Sequence, residues 1–500
     1  MSDQNPAQTT HVPKGTRLSE QLLEQYLEEN LFSPSSYPEE RVGVEFEFFV
    51  SRQSEDNTLR GILKDPRMWS KGLLLSFARE KEWQILSENI GSEYLITGYK
   101  RTEGDLITFE PGKQIEISTR CYDDFHHLTA AVKGAMSDIR EGLKNDECDL
   151  LPIGTYPFIN QDREGSTPIE RLLLPKARYT HMAMYYDRLG VWGEQLMKCT
   201  AATQVCLDVG HSHTEVCQRY VLGELLAPYT FAIFAFSPFF EGRLNGLACN
   251  RAVIVKHHDP KAAGIHHHFM SHLMKTKGSF DIQDVIQIYK KFLLASRVLV
   301  TRDYPQVLKP FEGEPFGHWL TEGVDGIFPT VHDLELQLHL TFPEVRAKGF
   351  FELRSPDAQS EAWLYAPVLF YMGLLLCPAV RQQAISLLMP YLSDVADHWD
   401  KASLGLRDPK IRAISQKIME LAILGLTSAE GKLSESIKQS HELKTLSAYA
   451  RHFTFKGRTP ADDFIDFWAK NNLGQEPRIS IPKTLWQQLD DYWYHQQLSQ

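Results

Sequence analysis

Glu45 and Glu47 stand two apart in the run GVEFEFF (43–49), so a β-strand there projects both carboxylates from one face and Val44, Phe46 and Phe48 from the other. Two later segments repeat the device: Glu110 and Glu116 in FEPGKQIEIS (109–118), and Glu352 with Arg354 in GFFELR (349–354). Pro111-Gly112 interrupts the first of these, so alternation alone does not phase Glu110 with Glu116. Acids gathered on one sheet face repel one another and resist ionisation unless a cation sits among them. Magnesium is the natural candidate, because it takes hard oxygen ligands from carboxylates and substrate phosphates. Taken alone, Glu45 and Glu47 are better explained by a half-exposed strand with a wet face. The recurrence of acids on three segments, each flanked by aromatics, is what argues for a metal site.

The elements that must position these acids can be read from periodicity. A short helical pattern runs from Leu18 to Leu31, and SPSSYPEE turns the chain into a strand beginning at Arg41. Alternating segments follow from Tyr99 to Thr119, punctuated by Gly104 and Pro111-Gly112 as in a meander, with Gln114, Glu116 and Ser118 on one face. Asp123 is placed to cap a helix whose Leu128, Val132, Met136, Ile139 and Leu143 form one apolar stripe. Helices are predicted near 179–198, 214–236 and 282–300, a strand from Thr203, and another at 349–354. Beyond that the pattern is helical, with Ile411, Ile414, Ile418 and Leu421 at packing spacing. Runs of strands joined to covering helices indicate α+β with a mainly antiparallel sheet.

Composition excludes several classes of function. The chain has 500 residues, 43% hydrophobic and 23% charged, enough for a large core. Its net charge of -11 argues against nucleic acid or an anionic membrane as partner. The N-terminus lacks an apolar signal core, and the greasiest run, Met372 to Val380, is too short to span a bilayer. Seven cysteines, an odd number without metal-type pairs, suit a reducing cytoplasm better than a disulfide framework. The sequence contains no GxxxxGK[ST] phosphate loop, no GxSxG elbow and no HExxH pair.

The order of the motifs carries more than any one of them. GVEFEFF, FEPGKQIEIS, RYTHM (178–182), GVWGEQLMKCTAATQVCLD (190–208), SPFFEGRLNG (237–246) with Arg251, and FPEVRAKGFFELR (342–354) together resemble the plant-type glutamate-cysteine ligase family, which includes bacterial ergothioneine-pathway relatives. The resemblance implies a glutamine-synthetase-like fold, a curved and mainly antiparallel sheet forming a funnel covered by helices. It also implies an ATP-dependent ligase that makes γ-glutamylcysteine through a γ-glutamyl phosphate, with magnesium as cofactor and glutamate, cysteine and ATP as small-molecule partners. By the same resemblance Glu45, Glu47, Glu110, Glu116 and Glu352 are the metal ligands and Arg251, Arg178 and Gln204 line the substrate. Arg346 and Arg354 then face the phosphates as catalytic cations. A ligase with another amine acceptor, or a non-catalytic glutamate- or ATP-binding relative, stays open as an alternative, as does the choice between monomer and homodimer.

The expected organisation is a disordered tail over 1–16, a catalytic domain over 17–380 and a helical C-terminal region over 381–500 packed on it. Two departures from plant members stand out: Val255 replaces a tryptophan and Cys206 replaces an asparagine. The six histidines between His257 and His272 read as a solvated loop rather than a zinc site.

Overall fold

Alternation along one long strand divides the protein into two halves. In the computed structural model, which describes residues 12–53, 58–61, 73–90, 93–144, 147–158, 172–263, 265–303, 307–310, 313–471 and 480–498, strand β1 (Val42–Gln53) turns Val42, Val44, Phe46 and Phe48 into the core, each at most 1% exposed. The strands that follow are β2 (Thr58–Gly61), β3 (Gln84–Ile90), β4 (Glu93–Lys100), β5 (Leu106–Phe109), β6 (Ile115–Ser118), β7 (Cys148–Leu151) and β8 (Thr203–Asp208). Then come β9 (Phe239–Phe240), β10 (Arg243–Leu244), β11 (Val300–Asp303), β12 (Val307–Pro310), β13 (Val345–Ala347), β14 (Phe350–Leu353) and β15 (Ser480–Pro482).

Eleven described strands make one sheet in the order β13-β14-β8-β1-β6-β5-β4-β3. The far half of β1 pairs with β7 and β2, and β15 adds to β2. Every pairing is antiparallel, so the α+β organisation with a mainly antiparallel sheet is present. β9 with β10 and β11 with β12 form separate two-stranded ribbons.

Helices cover the apolar face. The Phe125–Lys144 helix buries Leu128, Val132, Ala135 and Ile139 completely. The Ala366–Leu376 helix is buried all round, and neighbouring Tyr365 meets Phe46 and Phe125 edge-on at 6.4 and 6.0 Å. The His213–Ile233 helix lies against β13 and β14 so closely that a Cβ on Gly223 would sit 2.8 Å from Val345 and 3.0 Å from Leu353. In the C-terminal region the Pro409–Ser428 helix crosses the Ala366–Leu376 helix at two glycines. A Cβ on Gly425 would come within 1.8 Å of the Gly373 carbonyl, so only hydrogen fits there. That region is helical, as expected, apart from β15.

Several boundaries differ from the sequence reading. The cap of the Phe125–Lys144 helix is Asp124, whose Oδ1 accepts from the amides of His126 (2.8 Å) and His127 (3.3 Å), while Asp123 pairs with Lys432 at 2.7 Å. The helix expected near 179–198 is two, Ala177–Leu189 and Val191–Cys199, broken at Gly190 with φ +105°. The helix from Ile282 stops at Ala295, and the chain is in β11 by Val300. Of the tail expected over 1–16, residues 1–11 lie outside the described residues. Lys14 and Thr16 are held by backbone bonds from His332 (3.0 Å) and Val331 (3.1 Å). Among the described residues no single helix is long and apolar enough to cross a membrane.

The ring of Phe46 is 1% exposed beneath the two acids. Phe46→Ala is expected to lower unfolding free energy by about 3–5 kcal/mol in urea titration. A loss below about 1 kcal/mol would contradict the division of β1 into a packed and an acidic face.

Candidate active site

Strand register decides which polar side chains meet. Glu45 lies opposite Ser118 on β6 and Gln204 on β8, and Glu47 lies opposite Glu116. Glu116 in turn faces Thr108 on β5, and Cys206 on β8 faces Glu352 on β14 and Gly43 on β1. Glu352 is paired across the last hairpin with Arg346 on β13. Directly opposed residues share a face, so one surface carries Thr108, Glu116, Ser118, Glu45, Glu47, Gln204, Cys206, Glu352 and Arg346. The opposite surface is the core. All of these but the fully buried Cys206 and Glu352 line a cleft of about 310 Å³ together with Glu110, Lys176, Arg178, Lys348 and Arg354.

The acids are held in different ways. Glu47 accepts from the Ala202 amide and from Gln204 Nε2, both at 2.7 Å. Glu116 Oε1 accepts from Ser118 Oγ (2.6 Å) and Thr108 Oγ1 (3.1 Å). Glu45, only 6% exposed, receives no hydrogen bond from any described residue. Burial, then the charge of Glu352, pushes Glu45 up to about 7. Burial followed by Glu116 and Glu110 pushes Glu47 up to about 8, and burial followed by Glu110 pushes Glu116 up to about 7. Three carboxyls that resist ionisation in close company are a donor set fitted to a hard divalent ion, which would restore their charge.

Glu352 is the exception. Burial would raise it too, but Arg346, Lys348 and Arg354 outweigh burial and hold it well below the usual carboxylate range. Arg346 donates from Nε (3.0 Å) and Nη2 (2.5 Å) to Oε1, Arg354 Nη1 bonds the same oxygen, and Lys348 Nζ pairs with Oε2. Arg354 also bonds Gln204 Oε1, so Gln204 bridges Glu47 to this cationic group.

A second, inner cavity of about 100 Å³ adjoins the cleft, and Glu47, Glu110, Met182, Phe342 and Arg354 line both. Beyond that shared mouth its walls are mostly apolar, from Tyr186, Leu196, Met197, Phe231 and Val255, with Gln114, His258 and Arg251 among them. His258 is neutral: burial pulls it down to about 4 against the opposing effect of the Val255 carbonyl 2.8 Å from Nδ1.

Arg251 donates to the carbonyls of Ser355 (2.7 Å), Pro356 (3.2 Å) and Arg354 (2.5 Å) and lies 3.6 Å from Asp357. It therefore fixes the turn that carries Arg354, whatever else it touches in the inner cavity. Glu110 sits on the β5–β6 turn, pinned there because Gly112 packs against Lys198. A Cβ on Gly112 would lie 2.0 Å from the Lys198 carbonyl.

Nine of the ten residues singled out from the sequence border the cleft, the inner cavity or both, and the tenth, Glu352, is buried behind Arg346 and Arg354, which it bonds. Two cations were missed. Lys348 is two residues past Arg346, and that spacing was a signal available in VRAK. Buried Lys176, which donates to the Phe109 carbonyl at 3.0 Å and whose pKa is lowered by burial, carried none. Among the histidines, His257 lies over Trp192 at 5.4 Å and His272 is 3.4 Å from Asp284, and neither faces the cleft.

The family model described as Glutamate-cysteine ligase family 2 (GCS2) matches residues 41–481. The chain is 29% identical over 445 residues to the chloroplastic glutamate–cysteine ligase of Brassica juncea, covering 86% of this chain and 77% of that protein. It is 26% identical over 439 residues to the chloroplastic enzyme of Solanum lycopersicum (86% and 76%). With the glutamate–cysteine ligase EgtA of Mycolicibacterium smegmatis it shares 27% over 394 residues (78% and 82%). A solved glutamate–cysteine ligase of Francisella tularensis in complex with AMP overlays with a TM-score of 0.44 at 10% identity, over 92% of this chain and 90% of that one. An overlap of that degree adds no weight.

The raised acids have a consequence for stability. Unfolded glutamates titrate near 4.5, whereas Glu45, Glu47 and Glu116 do so near 7 to 8 when folded. The folded state therefore binds more protons between these limits, and metal-free stability falls as pH rises through that window. Thermal melts in chelator are expected to show Tm declining from pH 5.5 to 8.5, with a shallower decline in Glu45→Gln. Identical slopes for wild type and variant would contradict the placement of Glu45.

Proposed function

The chain belongs to the glutamate-cysteine ligase family 2, and from that premise we propose that it is an ATP-dependent ligase joining the γ-carboxylate of glutamate to the amine of cysteine. The product, γ-glutamylcysteine, would open the synthesis of glutathione or a related thiol. The observation that carries this reading is the adjoining pair of cavities that share Glu47 and Arg354 at their mouth. It is what two-stage chemistry needs: a charged compartment for a triphosphate and a less polar one for the amino acids.

Two bonds are exchanged. A γ-carboxylate oxygen of glutamate attacks the terminal phosphorus of ATP, the bridging P–O bond breaks and ADP leaves. The cysteine amine then attacks the acyl carbon, the C–O bond to phosphate breaks, and the nitrogen loses its proton to the departing phosphate or to water. Magnesium, when bound, neutralises triphosphate charge. Glu45, Glu47 and Glu116 would hold it, with Glu110 and Glu352 beside them, and the carboxylate of Glu45, which no described residue hydrogen-bonds, fits that use.

The remaining work is positioning and charge. Arg354 lines both cavities, so it faces the phosphoryl group as it passes between them. Arg346 and Lys348 meet the outer phosphates, and Glu352 keeps these three cations gathered at the cleft. Arg178 and Lys176 line the same cleft. Arg251 holds the backbone that orients Arg354 and offers its guanidinium edge to the inner cavity. Among the described residues the seven cysteines form no disulfide, which suits the reducing cytoplasm.

A different amine acceptor is the second reading, favoured by Val255 in the inner wall, a small residue 9% exposed. Protein with ATP, Mg²⁺ and glutamate is expected to release phosphate and form γ-glutamylcysteine when cysteine is added. Phosphate release with another amine from a panel of amino acids would move the assignment to that acceptor, and none with any amine would overturn the ligase reading. Glu47→Gln and Arg354→Ala are each expected to lower kcat/KM about 10²- to 10³-fold.

A further inference from the structure

Cys206 sets a thiol among the carboxylates of the acidic face. It is completely buried on β8, opposite Glu352 on one side and Gly43 on the other. One ligand atom from each of Glu45, Cys206 and Glu352 lies within 4.8 Å of the other two. Ligand bonds of about 2.0–2.3 Å to zinc-class ions set ligand atoms at most about 4.6 Å apart, so a shift of a few tenths of an ångström brings these side chains around a single centre. Glu45, more than nine-tenths buried and without a hydrogen bond from any described residue, borders the acid-lined cleft and opens the trio to it. Gly43 puts no side chain beside the thiol, and on its far side Cys121 Sγ lies 3.3 Å from where a Gly43 Cβ would be.

We propose that Glu45, Cys206 and Glu352 form a site for a thiophilic divalent ion of the zinc and cadmium class, which binds there in competition with magnesium. The inference rests on the acid-lined cleft holding divalent ions, and it adds which ions this chain's own residues select. Arg346, Lys348 and Arg354 crowd Glu352 and oppose any dication by charge. A hard ion such as magnesium, bound by charge alone, gains little against them and depends on a phosphate ligand to offset their repulsion. A soft ion gains a bond to sulfur that those cations do not cancel. The thiol gives its proton to solvent as that bond forms.

Cadmium is the probe, because a cadmium–thiolate bond absorbs in the near ultraviolet. The purified full chain, without nucleotide, is titrated with Cd²⁺ beside Cys206→Ser and Glu45→Gln. We expect one tight equivalent with a charge-transfer band in wild type, and about a 100-fold loss of affinity for that equivalent in Cys206→Ser. In Glu45→Gln we expect a smaller loss with the band retained, and in wild type we expect Mg²⁺ with ATP to displace the cadmium. Equal titrations of wild type and Cys206→Ser overturn the site. If Cys206→Ser fails to fold, unchanged cadmium affinity in Glu45→Gln overturns it instead. Wild type that turns over ATP but shows no Cys206-dependent band refutes this inference alone, and a band without turnover on any amine refutes the proposed reaction alone.

Discussion

Carboxylates that share a buried face cannot all carry charge without a cation among them, and the rest of this structure is arranged around that constraint. A long antiparallel sheet walls in Glu45 and Glu116, which are buried, and Glu47, which is half-buried, and all three are pushed toward neutrality. One neighbour away, Glu352 meets Arg346, Lys348 and Arg354 and stays ionised. The same face thus holds a pool of acids that need a cation and a group of cations that need an anion. Magnesium and a triphosphate would meet both needs together, because each would neutralise the half of the face that the other leaves charged. That complementarity is the physical content of the ligase reading.

The constraint reaches into the fold. Acids can be concentrated on one face only if the other face is bound firmly enough to fix register, since a slip of one residue would send Glu45 and Glu47 into the core. Val44, Phe46 and Phe48, packed beneath the covering helices, provide that penalty. Close crossings at glycines, Gly223 against β13 and β14 and Gly425 against Gly373, bring the helices close enough to hold the sheet from behind. Gly112 does the same for the turn that carries Glu110 to the mouth of both cavities.

Much of the site was legible in the sequence because alternation is a local property. Two glutamates two apart share a face in any strand, and Glu352 and Arg354 obey the same rule. What periodicity could not supply was which strands are neighbours. Nothing local says that β8 lies between β1 and β14, and only that placement sets Gln204 beside Glu47 and Cys206 beside both Glu45 and Glu352. β3, β4 and β7 were missed or merged, since polar residues such as Ser87, Glu88 and Asn89 blur the pattern of an edge strand. The single helix expected over 179–198 failed at Gly190, where one positive φ ends it. The roles of the arginines were the least legible: Arg251 reads as a substrate clamp by motif, yet most of its visible bonds go to the backbone of the turn bearing Arg354.

The central claim is that the raised acids of β1 and β6 bind divalent metal beside the phosphates. Crystals grown with Mn²⁺ in place of magnesium, a non-hydrolysable ATP analogue and glutamate, measured at the manganese edge, test it most directly. The account predicts anomalous peaks at about 2.1–2.2 Å from carboxylate oxygens of Glu45, Glu47 and Glu116, with the terminal phosphate within reach of Arg354. Manganese bound elsewhere, with those three carboxylates unliganded while nucleotide is in the cleft, would contradict it.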